Sequence, residues 1–106
     1  MQTGAQSLDQ QLRFAIANKR LIQLRYNGSR RVAEPHDYGV QKGTTRLLIF
    51  QRHASGGTGA RGVIGWRLLD VLKIDECVVL DQTFAGSRGQ SHHRHYEWDS
   101  LFVRVT

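Results

Sequence analysis

Three stretches of this sequence hold side chains suited to chemistry. "GTGARG", residues 57–62, has the glycine spacing that lets a backbone wrap a dinucleotide pyrophosphate. "SHHRHYEW" sets His92, His93 and His95 near Glu97, groups that a metal ion accepts as ligands. Between Arg25 and Arg67 runs a series of arginines, whose planar donor forks match phosphate and carboxylate oxygens.

Context removes the first two. A dinucleotide loop follows its strand directly and opens a helix at its third glycine. Here Gln51, Arg52, His53, Ala54, Ser55 and Gly56 intervene after Phe50, and "VIGWRLL" after Gly62 reads as a strand. No lysine followed by Ser or Thr closes the loop as a P-loop requires. The glycines therefore form a long hairpin loop, and no cofactor is expected. The histidine stretch lacks a cysteine pair or second ligand cluster, so it reads as exposed loop without a dedicated metal. His36 and His53 have no Ser or Cys partner in sequence, Ser55, Ser87 and Ser91 lack a nucleophile elbow, and the acids are scattered. The expectation is a binding protein and not an enzyme. Cys77, in "DECVVL", reads as a buried, inert thiol.

The arginines gain weight from where they sit. The 106-residue chain has a net charge of +6, and residues 21–67 hold eight basic side chains against Glu34 and Asp37 alone. The rest of the chain is balanced, so the whole excess belongs to one segment. Such a stripe is an anion-binding footprint, with nucleic acid the commonest anion. The competing reading is a solvated surface that keeps the protein soluble. No apolar run approaches the about 20 residues of a membrane helix. "MQTGAQSLDQ" lacks a basic start with an apolar stretch. With a single cysteine besides, the expectation is a cytoplasmic protein with no membrane partner.

The elements that must position these residues follow from periodicity. "SLDQQLRFAIANKR" opens on a capping box, Ser7 with Gln10, and Leu8, Leu12, Ala15 and Ile16 recur at helical spacing. This predicts a helix over about 7–20, with Lys19 and Arg20 in its last turn facing the dipole. From Leu21 the period becomes two, with Ile22, Leu24 and Tyr26 on one side. "NGS" is a tight turn, and "RRVAEP" is the returning strand, ended by Pro35. "HDYGVQKGTT" reads as a connection with a short extended piece around Tyr38 and Val40. "TRLLIFQR" is apolar on both faces, as in a central strand. "VIGWRLLDVLKI" and "DECVVLDQTF" read as strand, turn and strand, and the tail ends in another strand through Leu101, Val103 and Val105. Trp66 and Tyr26 read as core, with Arg67 and Arg25 turned outward. The fold expected is mostly β with one N-terminal helix, a single domain over 1–106. Its five-stranded antiparallel barrel would cover about 21–84, with a C-terminal extension over 85–106.

This order of features resembles the WYL domain, a small bacterial domain named for a Trp-Tyr-Leu triplet. The pieces are "FAIANKRLIQLRYNGSRRVAEP", "KGTTRLLIFQ", the glycine loop, "GWRLLDVLKI" and "VVLDQTF", spanning roughly Leu8 to Phe84. The triplet stands here as Arg46-Leu47-Leu48, and the family's Phe-Arg-Leu as Trp66-Arg67-Leu68. The resemblance implies an Sm-like barrel and a transcription-regulating module that senses nucleotides or single-stranded nucleic acid through a basic pocket. Carried over by position, Arg31, Arg46 and Arg67 would contact phosphate. Arg25, Arg52 and Arg61 would add looser attraction, Gln51 would read a base edge, and Tyr38 would stack. The alternative is a protein-interaction module, with a protein partner or a homo-oligomer using an exposed strand edge.

Overall fold

A computed structural model describes residues 6–55, 64–89 and 97–106. The "GTGARG" loop, Arg61 and the histidines His92, His93 and His95 lie outside the described residues.

The capping box forms as its residues require. Ser7 Oγ accepts the Gln10 amide at 3.1 Å, and Gln10 Oε1 accepts the Ser7 amide at 3.0 Å, opening helix α1 (Leu8–Ala17). Leu12, Ala15 and Ile16 are buried. The helix stops short of Lys19 and Arg20. Asn18 caps it, Lys19 takes a left-handed φ of 54°, and Arg20 already belongs to a strand. Neither residue sits in a last turn.

Six strands follow: β1 (Arg20–Tyr26), β2 (Ser29–Gln41), β3 (Thr44–Ser55), β4 (Gly65–Asp70), β5 (Ile74–Thr83) and β6 (Ser100–Arg104). All pair antiparallel, in the order β4-β3-β2-β1-β5, with β6 on β2. Two turns of two residues join the first three strands. Asn27 and Gly28 have φ of 51° and 75°, and Lys42 and Gly43 have 50° and 78°, the paired left-handed conformation that matches strand twist.

Two expectations are corrected here. Pro35 does not end its strand, because β2 runs through it to Gln41. Along one edge β2 pairs with β1 over Ser29–Ala33 and with β6 over Asp37–Val40. Pro35 lies between these partners, where a missing N–H leaves no ladder bond unmade. The second correction is the connection over "HDYGVQKGTT", most of which is strand. A bulge leaves His36 unpaired in the β2–β3 register, between Pro35↔Ile49 and Asp37↔Leu48.

One face of the sheet carries the core: Ile22, Leu24, Ala33, Tyr38, Leu47, Ile49 and Leu69 pack with Leu12, Ala15 and Ile16 of α1. Tyr38 donates to Asp9 Oδ1 at 2.7 Å and so ties the helix to this face. Tyr26, also on this face, accepts the Asp70 amide at 3.1 Å. Since β1 and β4 stand three places apart in the pairing order, that bond requires the sheet to curl around the core. A single 3-10 turn, Val71–Lys73, then carries the chain from β4 to β5. The end strands β4 and β5 have no ladder between them among the described residues, so the sheet is six-stranded, curled and open. No helix among the described residues is long and apolar enough to cross a membrane.

Cys77 on β5 is part-buried, and burial pushes its thiol up to about 11. At pH 8 its thiolate fraction falls about 100-fold below that of an ordinary cysteine. Ellman's reagent is therefore expected to modify the native protein about 100-fold more slowly than the urea-unfolded chain. Equal rates would show the thiol to be accessible and ordinary.

Candidate anion-binding site

Strand register decides which of the arginines meet. Arg31 on β2 lies opposite Leu24, on the core face. On β3 and β4, the pairs Gln51↔Gly65, Ile49↔Arg67 and Leu47↔Leu69 put Gln51 and Arg67 on that same face. Three of the expected residues, Arg31, Gln51 and Arg67, thus share the concave side of the curl. Arg67 reverses the outward direction expected of it, and Trp66 takes the other face.

Arg31 is 7% exposed. Its Nη1 donates to Gln51 Oε1 at 3.2 Å and its Nη2 to the Tyr26 carbonyl at 3.4 Å. The guanidinium carbon lies 5.1 Å from the centre of the Tyr26 ring. Its Nε is buried and has no hydrogen-bond partner among the described residues. Burial lowers the Arg31 pKa, the Tyr26 hydroxyl opposes that, and the nearby positive charge of Arg67 lowers it further. Arg67 donates from Nη1 to the Trp66 carbonyl at 2.8 Å. Neither arginine has an ion pair among the described residues. Two guanidiniums close together on the core face, with no carboxylate paired to either among the described residues, form a place where an anion is stabilised. Gly65 lies opposite Gln51 in register, and a Cβ built there would meet nothing within 4 Å.

The remaining expected residues lie elsewhere. Arg46 pairs with Gly39 and Asp70 in register and faces away from Arg31 and Arg67. Its Nε is buried without a hydrogen-bond partner among the described residues. Tyr38 is 4% exposed and packs edge-on against Phe102, so its ring is not presented to a base. Arg25 points outward, as expected, toward Asp75 and Glu76 at 3.5 and 3.6 Å. Arg52 reaches Glu34 Oε2 at 2.9 Å.

Sequence reasoning missed a polar hub on the opposite face. Glu34, 2% exposed, accepts both arms of Arg88 at 2.8 Å, Arg52 at 2.9 Å and His36 Nε2 at 3.1 Å. Arg88 also stacks 3.7 Å over Phe50, and His36 packs edge-on against Trp66 at 4.7 Å. Burial alone would raise the Glu34 carboxyl, but hydrogen bonds from Arg88, His36 and Arg52 outweigh it and hold it at about 2. Asp37, fully buried, takes both arms of Arg104 at 3.1 Å. One signal was available in the sequence. The only two acids in the basic segment are these two, and each is neutralised by an arginine from beyond residue 84.

No family model, curated protein or solved structure matches this chain.

Proposed function

We propose that this chain is a sensing module that binds a nucleotide or single-stranded nucleic acid at its concave arginine face. The observation that carries the reading is Arg31, nine-tenths buried beside Arg67, with no partner for its Nε and no carboxylate paired to it among the described residues. A buried cation is costly unless an anion accompanies it. Arg25 and Arg52 are engaged by acids of the chain and contribute only distant attraction, while Arg46 belongs to another surface. The Tyr26–Asp70 bond across the curl and the short 3-10 corner between the end strands bring the open sheet toward the shape of an Sm-like barrel.

The test is fluorescence anisotropy with labelled oligothymidine. Between 50 and 200 mM salt, a single strand holding about two phosphate contacts loses roughly sevenfold in affinity. Arg31→Met is expected to weaken binding by about tenfold, the worth of a charge-assisted contact. Absent or salt-independent binding would refute the reading.

A further inference from the structure

We infer that the concave arginine pair receives the terminal phosphate of its ligand, a phosphomonoester, and not an internal phosphodiester. This deepens the binding reading above and rests on it. Arg31 is 7% exposed and shares its face with the buried Leu24, Ile49 and Leu69. An internal phosphate approaches Nε only by bringing a sugar on each side of it against that apolar face. A chain end carries a sugar on one side alone and buries less polar surface there.

The pair presents two positive charges with no carboxylate within ion-pair distance among the described residues. A monoester, carrying about −1.5 to −2 at neutral pH, matches both. A diester carries one negative charge and leaves a cation uncompensated in an apolar setting, which is unfavourable. Two of the three nitrogens of Arg31 are already engaged, by Gln51 and by the Tyr26 carbonyl, and this fixes the guanidinium plane. The remaining Nε of Arg31 and the nitrogens of Arg67 other than Nη1 offer donors from two strands, β2 and β4. A terminal phosphate has three free oxygens to meet them, while an internal one has two.

The experiment compares oligothymidines of one length, labelled at one end and bearing either a phosphate or a hydroxyl at the other, for both polarities. At least one phosphate-ended oligonucleotide is expected to bind about tenfold more tightly than its hydroxyl-ended counterpart. Inorganic phosphate is expected to compete with that increment. In Arg67→Gln, a substitution on a part-exposed end strand, the ratio between the two ligands is expected to fall to about one. Arg31→Met is the second variant, with circular dichroism as the check on folding. Binding of all oligonucleotides with no preference for a phosphate end would overturn this inference and leave the binding reading standing. An undiminished ratio in a folded Arg67→Gln would overturn it as well. Failure of every oligonucleotide to bind would overturn both.

Discussion

Glu34→Ala is expected to destabilise the protein by about 4 kcal/mol, the cost of removing one partner from a buried ionic cluster. Domains of this size are stable by only about 5–15 kcal/mol, so the variant melts some 15 °C or more below the parent. The size of the effect comes from what remains. Arg88 keeps its stack on Phe50 but loses both carboxylate bonds, and Arg52 and His36 lose theirs. Glu34→Gln keeps the shape and some hydrogen bonds, and should cost less. The same hub sets a pH dependence. The Glu34 value of about 2 lies below its ordinary 4.5, so its contribution is present above pH 4.5 and is lost as pH falls toward 2. His36 is held below its ordinary 6.5, mainly by burial, so stability begins to decline below pH 6.5 as the unfolded chain takes up the proton first. Urea titrations from pH 8 to pH 3 check both steps, and Glu34→Gln should flatten the lower one. A Glu34→Ala melt within 2 °C of the parent, or a stability flat from pH 8 to pH 3, would refute the hub's role.

Gly39→Ala should cost about 2–4 kcal/mol, a large effect for one methyl group. The added Cβ would overlap the Ser100 carbonyl oxygen and stand 2.9 Å from the Leu101 Cα. Both are backbone atoms of β6, so no side-chain rotation relieves the clash. The strand must leave its place opposite Asp37–Val40, and Asp37 then loses Arg104. Hydrogen exchange should show the loss in β6 first, with β1 to β3 still protected. Unchanged protection of the Leu101 and Val103 amides would count against this packing.

Local rules made much of the fold legible. The capping box at Ser7, the turn at Asn27-Gly28 and the alternation through Ile22 and Leu24 are decided by neighbours in sequence, and the structure follows them. Pro35 misled because a proline ends a strand only where an N–H would be needed, and that depends on partners far along the chain. The facing of the arginines was similarly hidden. A bulge between Val32 and Ala33 and another at His36 change which residues share a side, and no composition signal announces either. Of the candidate site, Arg31, Gln51 and Arg67 were identified from sequence, while Arg46 was grouped with them and stands apart. The Glu34 hub is legible only as a lone acid in a basic segment, because its principal partner, Arg88, lies 54 residues away.

The break that Pro35 makes in one edge of β2 has a dynamic consequence. The first three strands are joined by two-residue turns and form from contacts close in sequence, which favours early and rapid assembly. Strand β6 pairs with this meander over Asp37–Val40, on the far side of the proline from β1. No ladder bond couples the two occupants of that edge. The terminal strand is therefore expected to open before the meander does, against the hold of Arg104 on Asp37 and of Val105 on the His36 carbonyl. Its opening exposes Asp37 and the edge of β2 to solvent, so proteolysis should enter the molecule there before it reaches the arginine face.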